Sequence, residues 1–284
     1  MITNVLVVGY GIMGQGIALS FARGGHQVSV LSRNPERLKF IPKGIRVVAE
    51  LPEDAPDLII EAVPEQIEVK NSLFSRLEHA YCGKPILATN TSGLPMESMA
   101  EQLSHPHRFI GIHYFHPAEM FPTVEVILVK QTDPQVINDV TAALKRNGQD
   151  AVLINRPIAG FLVNRLQHAV LHEAFSMIEE GVVTVNDVDH VCKTMFGPRM
   201  CVTGLIEQKD ISGLDTTAAT QRNLVPHLNH SGTPTRMIQE MVARGELGLK
   251  SGKGFYDWSS RDIDVYKSRA EGKLNRILHI VSEQ

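Results

Sequence analysis

The sequence predicts an α/β domain, built on a doubly wound and mostly parallel sheet, followed by an all-α domain. In the first half of the chain, short apolar and β-branched runs alternate with helical patterns, which is typical of β-α-β units in a parallel sheet. In the second half the strand-like runs cease, and apolar residues recur at helical spacing. We place the boundary near Asn155, so the domains comprise residues 1–155 and 156–284.

The elements of the first domain follow from its β-branched runs and from the apolar faces between them. The glycine pair Gly24 and Gly25 ends the first helix, whose apolar face includes Ile17 and Phe21. The predicted strands are residues 4–8, 27–31, 45–48, 57–63, 85–89, 109–114 and 124–129, and the predicted helices are residues 15–23 and 68–79.

A long helix opens the second domain, because residues 158–180 carry apolar side chains at helical spacing. Thr184 followed by Asp187 matches a capping box. We therefore predict a second helix that begins there and ends at the Gly197-Pro198 pair. The chain is predicted to be helical from that pair to Gly252.

The composition is that of an ordinary globular protein and argues against several classes of partner. Of the 284 residues, 43% are hydrophobic and 21% are charged, and the net charge is −3. Because there is no basic excess, we predict neither a nucleic acid nor a membrane surface as a partner. The expected partner is a small-molecule substrate.

The cysteines and the apolar runs bear on the cellular compartment. Cys82, Cys192 and Cys201 are odd in number and lack C-x-x-C spacing, which favours a reducing compartment and argues against a disulfide framework or a zinc cluster. We expect no metal site. The first apolar run is too short for a signal peptide, and no stretch reaches the ~18 apolar residues of a membrane span. The expected location is the cytoplasm.

A glycine-rich turn joins the first predicted strand to the first predicted helix. Gly9, Gly11 and Gly14 form the G-x-G-x-x-G pattern of a dinucleotide site. The first glycine permits the tight turn, the second lets the backbone approach a pyrophosphate, and the third lets helix and strand pack closely. The helix N-terminus then faces the phosphate charge. We predict a Rossmann domain in which these glycines, with Ile12 and Met13, bind the cofactor.

The end of the second predicted strand indicates which dinucleotide binds. NAD sites normally place an acidic residue there to bind the ribose 2′-OH, but this chain has Ser32, Arg33 and Asn34, with Arg37 one turn later. A guanidinium can bind a 2′-phosphate with two hydrogen bonds. We therefore predict that Ser32, Arg33 and Arg37 contact the cofactor and that NADP is preferred over NAD. The alternative is that both arginines face solvent and NAD binds.

Polar side chains follow two neighbouring strands, at the edge where open α/β sheets hold ligands. Asn90 and Ser92 follow the strand at 85–89, and His113 comes at the end of the next one; we predict that Asn90 contacts the cofactor. Glu125 lies twelve residues after His113, within an apolar run, where a charge is costly unless paired. An imidazole is its natural partner, and the two form a base with its orienting group. The alternative is a hydrogen-bonded core histidine.

Six sequence runs, spread over nearly the whole chain, support a more specific interpretation. They are residues 9–14, 61–65, 90–92, 113–117 with Glu125, 160–165 and 250–256. In this order they resemble the 3-hydroxyacyl-CoA dehydrogenase family. The resemblance implies a Rossmann domain with a helical substrate domain, and the reversible oxidation of a 3-hydroxyacyl-CoA to a 3-oxoacyl-CoA with NAD(P).

The resemblance also implies roles for residues at the centre of the site. His113 matches the family's catalytic histidine, and Glu125 matches its carboxylate partner. Ser92 and Asn164 match polar residues that hold the substrate oxygen and the histidine in register. For Asn164 the alternative is a helix-capping or core amide.

Further matches concern the cofactor and the subunit interface. Glu65 and Lys70 match family cofactor contacts, and Lys250 matches a more distant one. For the two lysines the alternative is a solvated side chain. Residues 195–228 resemble the family's dimerisation and substrate region, which implies a homodimer.

Three departures from the family pattern bear on cofactor and substrate. The acidic residue after the second strand is absent, His116 stands where the family has asparagine, and only about a dozen residues separate Arg33 from Ile45. Family members typically carry there a helical hairpin that helps to hold coenzyme A. Two alternatives therefore stay open. One is a dehydrogenase of a free, non-CoA 3-hydroxy acid, similar to the L-gulonate and carnitine dehydrogenases, and the other is a non-catalytic dinucleotide-binding or crystallin-type protein.

Overall fold

The structure is a computed structural model that describes residues 1–38 and 41–283. The chain divides into two compact units, Met1–Arg165 and Leu166–Gln284. The first unit contains the sheet and the second is helical. In the described ranges, no helix is both long and apolar enough to cross a membrane. Within the same ranges, no group of three or more His, Cys, Asp or Glu side chains could hold a metal ion.

Eight strands form one sheet in the first unit. They are β1 (Asn4–Val8), β2 (Gln27–Leu31), β3 (Ile45–Val48), β4 (Leu58–Glu61), β5 (Ile86–Thr89), β6 (Phe109–His113), β7 (Thr123–Ile127) and β8 (Asp150–Ile154). Their order is β3-β2-β1-β4-β5-β6-β7-β8. All neighbouring strands are parallel except β6 and β7, which are antiparallel. Because the chain winds outward from β1 in both directions, the predicted doubly wound, mostly parallel sheet is confirmed.

Helices cover both faces of this sheet, which is why most residues of its central strands are apolar. The helices of the first unit are α1 (Ile12–Arg23), α2 (Ile67–Tyr81), α3 (Met96–Glu101) and α4 (Pro134–Arg146), and α5 (Val163–Glu179) begins there. Successive residues of β1 point to opposite faces. Val5 and Val7 pack with the apolar residues of α1 and α4, whereas Leu6 and Val8 pack with those of α2 and α3.

In the described part of the second unit, five helices of 6 to 11 residues and one of 20 residues follow α5. They are α6 (Val185–Val191), α7 (Gly197–Val202), α8 (Glu207–Ser212), α9 (Leu214–Leu224), α10 (Arg236–Ala243) and α11 (Ile263–Ser282). The capping box of Thr184 and Asp187 is present at the start of α6. The prediction that this helix ends at Gly197-Pro198 is wrong, because a π-helical turn, Cys192–Phe196, leads directly into α7. Proline is tolerated in the first turn of a helix, where its missing N–H leaves no bond unmade.

The first unit contains elements that the sequence pattern did not reveal. α3, α4 and β8 were not predicted, and neither was the C-terminal helix α11. The predicted starts of two helices also differ from the structure. α1 begins at Ile12, directly after the glycine turn, and α5 begins at Val163. The chain before Val163 cannot be helical, because Gly160 and Phe161 both have positive φ.

Candidate active site

The glycine turn between β1 and α1 is packed against the chain on two sides and open on a third. Gly9 has a φ of +100°, and a Cβ there would lie 2.7 Å from the carbonyl oxygen of Ala62. A Cβ on Gly14 would lie 2.0 Å from the carbonyl oxygen of Gly9. At Gly11, by contrast, a Cβ would meet nothing of the chain within 4 Å. The turn therefore leaves open backbone at the position where a dinucleotide site receives the pyrophosphate.

The N-terminus of α1 suits the same ligand. Its first turn contains no acidic residue, so the free N–H groups and the positive end of the helix dipole are available to phosphate. Ile12 is 70% exposed and Met13 is half-buried. The residues present thus fit a nicotinamide dinucleotide.

The end of β2 lies beside the glycine turn, because the N–H of Gly9 donates to the carbonyl oxygen of Leu31 at 3.0 Å. Ser32 follows directly, and its N–H donates to the carbonyl oxygen of Val48. Arg33 is exposed. Arg37 ends a short 3-10 helix, Pro35–Arg37, and its side chain lies outside the described part of the chain.

His113 and Glu125 are directly opposite each other in the antiparallel pair β6 and β7. The Nδ1 atom of His113 lies 2.7 Å from Oε2 of Glu125, and their side chains are 4% and 0% exposed. The other oxygen of Glu125, Oε1, accepts the N–H groups of Leu162 and Val163 at 2.9 and 2.8 Å. A buried carboxylate thus joins the imidazole to the N-terminus of α5.

This pairing determines which ring nitrogen of His113 can react. An ionised carboxylate is an acceptor only, so Nδ1 donates to Glu125 and Nε2 has the lone pair. The rings of Phe115 and Phe161 lie edge-on to the imidazole, with centroids at 4.6 and 5.4 Å. The imidazole is therefore held by one hydrogen bond and two aromatic contacts.

The loop after β5 is tied to its neighbours through side chains. The side-chain oxygen of Asn90 accepts the N–H of Tyr114 at 2.9 Å, directly beside His113. The N–H of Ser92 donates to Oε1 of Glu65 at 2.9 Å. Ser92 itself is exposed, so its hydroxyl is open to a ligand.

The turn before α5 brings Asn164 to the same place. A Cβ on Gly160 would lie 3.6 Å from Cβ of Asn164, and a Cβ on Gly93 would lie 3.9 Å from the nitrogen of Gly160. Asn164 is half-buried, in the first turn of α5. The structure therefore brings Ser92, His113, Glu125 and Asn164 to one end of the sheet.

A cluster of charged side chains, most of them buried, contacts the loop after β5. The ammonium of Lys70 is 2.5 Å from Oε1 of Glu61 and 3.1 Å from Oε2 of Glu65. The side chains of Lys70 and Glu61 are 1% and 0% exposed. Glu61 also accepts the hydroxyl of Thr89 and the N–H of Val63. The alternative that Lys70 is a solvated lysine is therefore wrong.

The two carboxyls of this cluster have pKa values shifted in opposite directions. Burial raises the pKa of Glu61, although Lys70 and Thr89 act against it. Burial alone would also raise the pKa of Glu65, but the Thr91 hydrogen bond and the charge of Lys70 outweigh it and lower that pKa. Glu65 therefore stays ionised where it binds the loop of Ser92.

Sequence reasoning did not identify Glu61 and Thr89 as members of this cluster. Glu61 ends an otherwise apolar strand, which is the same signal that pointed to Glu125. Lys250 belongs to the second unit and is exposed. Its contact with a cofactor stays a prediction.

Family models match most of the chain. The model for the NAD-binding domain of 3-hydroxyacyl-CoA dehydrogenase matches residues 4–55 and 41–157, and the model for the C-terminal domain matches residues 160–258. The chain is 32% identical to a probable 3-hydroxybutyryl-CoA dehydrogenase of Bacillus subtilis, over 92% of this chain and 99% of that protein.

Further similarities are to a dehydrogenase that acts on a pyridine carboxylate and to another 3-hydroxybutyryl-CoA dehydrogenase. The chain is 27% identical to the 5-formyl-3-hydroxy-2-methylpyridine 4-carboxylate 5-dehydrogenase of Mesorhizobium japonicum, over 99% of both. A crystal structure of such a dehydrogenase, an NAD+-dependent dismutase, matches with a TM-score of 0.93 and 26% identity over 99% of both chains. The (S)-3-hydroxybutyryl-CoA dehydrogenase of Ralstonia eutropha matches with a TM-score of 0.71 and 27% identity, over 91% of this chain and 99% of that one.

Proposed function

Because this chain belongs to the 3-hydroxyacyl-CoA dehydrogenase family, we propose that it transfers a hydride reversibly between C3 of a 3-hydroxyacyl substrate and its cofactor. The chain is an oxidoreductase that acts on CH–OH donors and uses a nicotinamide dinucleotide. In this proposal residues 1–155 bind the dinucleotide, and residues 156–284 form the helical domain for substrate binding and dimerisation.

The observation that carries the proposal is the buried pair of His113 and Glu125 at 2.7 Å. In the oxidation direction, Nε2 of His113 removes the proton of the substrate hydroxyl, and Glu125 stabilises the imidazolium that forms. A nicotinamide dinucleotide held by the glycine turn would supply the acceptor for the hydride of C3. In the reverse direction, the imidazolium returns its proton to the carbonyl oxygen as the alcohol forms.

Ser92 and Asn164 hold the reacting oxygen beside His113. Ser92 lies in the loop after β5 and Asn164 in the first turn of α5, and these two segments approach each other at Gly93 and Gly160, which supports this role. Their hydroxyl and amide groups can donate to an oxygen that becomes negative during proton transfer. Holding the oxygen in this way keeps its proton within reach of Nε2.

The cofactor is held by the glycine turn with Gly9, Gly11, Ile12, Met13 and Gly14. Glu65, Asn90 and Lys250 are the further proposed direct contacts, while the predicted contact of Lys70 is indirect. Because the Lys70 ammonium is engaged by two carboxylates, its influence on the cofactor runs through Glu65, which is 44% exposed.

We further propose that NADP is preferred over NAD. Ser32 and the exposed Arg33 follow β2 beside the glycine turn, and none of residues 32–34 is a carboxylate that would repel a 2′-phosphate. A guanidinium neutralises such a phosphate with charge-assisted hydrogen bonds.

A free carboxylic acid is the second candidate substrate, and the short connection between β2 and β3 favours it. Only about a dozen residues separate Arg33 from Ile45, where family members carry the helical hairpin that helps to hold coenzyme A. The match to the NAD-binding-domain model also consists of two segments, which overlap at residues 41–55 and so both include β3. The crystal structure of the pyridine-carboxylate dehydrogenase matches this chain with a TM-score of 0.93, whereas that of the Ralstonia 3-hydroxybutyryl-CoA dehydrogenase matches with 0.71.

A substrate panel separates these candidates. Cofactor reduction is measured with 3-hydroxybutyryl-CoA, with free 3-hydroxybutyrate and with a pyridine carboxylate bearing an oxidisable side chain. The first proposal predicts a higher kcat/KM for the CoA ester, and the second predicts turnover only of the free acids. Binding of the cofactor without turnover of any substrate would favour a non-catalytic dinucleotide-binding protein and contradict both.

A homodimer is the proposed assembly. Among the described residues from Leu166 onward, only Ala174 and Thr235 are buried. A unit of this size normally encloses a core of its own. Apolar side chains that the structure leaves exposed, such as Val170, Met195 and Met200, would then be covered by a second copy.

A further inference from the structure

Phe161 has a backbone conformation that its side chain disfavours. Its φ is +46°, and the one other non-glycine residue with positive φ in the described part of the chain is Cys82. A Cβ crowds the neighbouring carbonyl in this left-handed region, so bulky residues rarely adopt it. Residues held in such conformations persist only where the surroundings impose them, and they cluster at functional sites.

The turn that contains Phe161 makes a binding site for a carboxylate. Gly160, directly before it, also has a positive φ, of +75°. The N–H groups of Leu162 and Val163, directly after it, point to the same atom, Oε1 of Glu125, at 2.9 and 2.8 Å. Successive backbone N–H groups in a turn of this kind form a concave anion site. The anion in this site is the carboxylate that binds His113.

The ring of Phe161 holds the turn in place. It is 1% exposed and belongs to the apolar cluster between the sheet, α2 and α3. Its centroid also lies 5.4 Å from that of the His113 imidazole, with the two planes at 62°. The backbone of a phenylalanine prefers negative φ, but a change to negative φ would move this ring out of its buried position. Burial of the ring therefore stabilises the positive φ. The Phe161 side chain therefore fixes the backbone of the anion site and also packs against the imidazole of His113.

We propose that Phe161 is a positioning residue of the dehydrogenase. Its buried ring holds residues 160–163 in the left-handed turn that presents two N–H groups to Glu125, and Glu125 in turn orients His113. The inference rests on the proposed role of His113 as the proton-transfer group. It adds a residue that touches the imidazole but exchanges no proton.

Two substitutions separate the backbone effect from simple loss of core packing. Phe161→Ala and Phe161→Gly both remove the ring, but only alanine retains the Cβ that disfavours positive φ. If the turn is what matters, Phe161→Ala lowers kcat by about 10²-fold, the cost of a misplacement of ~1 Å at a catalytic group. Phe161→Gly then stays within about tenfold of the parent, because glycine adopts the turn without strain.

A third variant tests the anion site without touching the ring. Val163 is the first residue of α5, a position where proline is tolerated. Val163→Pro removes one of the two N–H groups that bind Glu125. It should lower kcat in the same way as Phe161→Ala, and it keeps the test valid if the alanine variant does not fold.

The matched control is Phe74→Ala. Phe74 is 1% exposed and lies in the same apolar cluster, with its ring against Phe109. The substitution should lower the unfolding temperature and leave kcat and the pH–rate profile of the folded protein unchanged.

The decisive readout does not depend on turnover. The Nδ1 proton of His113, hydrogen-bonded to Glu125, is followed by proton NMR in the parent and the variants. We expect it to be present in the parent, in Phe74→Ala and in Phe161→Gly, and to be lost to exchange in Phe161→Ala. Equal kcat and equal Nδ1 signals in the folded Ala and Gly variants would overturn the proposal. A wrong assignment of the reaction would remove the kcat differences but leave the NMR differences in place.

Discussion

Glu61 and Glu125 are both fully buried, although each lies in an otherwise apolar strand. An uncompensated carboxylate in such a place would be very costly. Glu125 is balanced by the His113 ring and two N–H groups, and Glu61 by an ammonium, a hydroxyl and an N–H group. The same signal in the sequence, a charge in an apolar strand, therefore marks both positions, one paired with His113 and the other paired with Lys70.

The proposed preference for NADP depends on the residues directly after β2. Ser32→Asp combined with Arg33→Ala should reverse this proposed preference, because aspartate accepts the 2′-OH and repels a 2′-phosphate. A charge-assisted hydrogen bond contributes about 1.5–3 kcal/mol, so the parent should favour NADP by roughly ten- to a hundredfold. The measurement is the ratio of kcat/KM with NADPH to that with NADH, in the parent and in the double variant.

A parent that prefers NADH would show that Arg33 faces solvent. The same conclusion would follow if the double variant kept the parent ratio. Arg23→Ala is the control for a general loss of positive charge, since Arg23 contacts the carbonyl of Glu119. It should leave the ratio unchanged.

At the scale of elements, strands β1 to β7 were predicted, whereas α3, α4, β8 and α11 were missed and the left-handed turn before α5 was not foreseen. The bounds of β1, β2 and β3 match the prediction, because β-branched runs end there at turn residues. The start of α5 was predicted five residues too early. Apolar periodicity continues through residues 158–162, and nothing in it reveals the left-handed turn at Gly160 and Phe161.

In the candidate site, the placement of side chains at strand ends could be predicted, whereas contacts between loops could not. Ser92 and His113 follow neighbouring strands, and the carboxyl ends of parallel strands meet at one edge, so their proximity follows from strand order alone. The contact between Glu65 and the N–H of Ser92 does not follow, because it joins two loops whose paths no periodicity describes. β8 is as long as β1 and contains an apolar run at residues 151–154, so its absence from the prediction has no such physical reason.

The ion pair between β4 and α2 leads to a prediction about stability. Lys70→Met leaves the carboxylate of Glu61 buried without a cation, which should lower the free energy of unfolding by about 3–5 kcal/mol. The double variant Glu61→Gln with Lys70→Met should recover most of that loss, because neither charge then remains buried. The measurement is urea unfolding of the parent, both single variants and the double variant.

The decrease in the free energy of unfolding caused by Lys70→Met should also depend on pH, and it should be smaller at low pH. Burial raises the pKa of Glu61, and removal of the ammonium raises it further. Protonation as the pH falls then neutralises the unpaired carboxylate in the folded state, so the loss should be smaller at about pH 5 than at about pH 8. Lys193→Met is the control, since the Lys193–Asp189 pair is 72% and 44% exposed and should contribute less than about 1 kcal/mol. A pH-independent loss would contradict the assignment of a buried, charged pair.

At the scale of the whole molecule, the two units differ sharply in burial. The sheet of the first unit encloses two apolar clusters, while the described part of the second unit buries only Ala174 and Thr235. A helical unit with so few fully buried side chains is expected to gain stability from a partner that covers its apolar surface. The exposed apolar side chains of α5 and α7 are the surface that a second copy would cover.

The homodimer is tested by light scattering coupled to size exclusion. At micromolar concentration the mass should be about twice the 31.4 kDa of one chain. The unfolding temperature should also rise with protein concentration, because association stabilises the folded state by mass action. A mass near 31.4 kDa, together with an unfolding temperature that does not change with concentration, would count against the dimer.

The central claim is that His113 exchanges the proton of the substrate alcohol. The most direct test compares His113→Gln with the parent on the best substrate of the panel, measuring kcat and, by calorimetry, the Kd of the cofactor. We expect kcat to fall by about 10²–10⁴-fold, the usual contribution of a general acid–base group, while the cofactor Kd changes by less than about threefold, because the glycine turn is untouched. Near-parent kcat in His113→Gln would contradict the account.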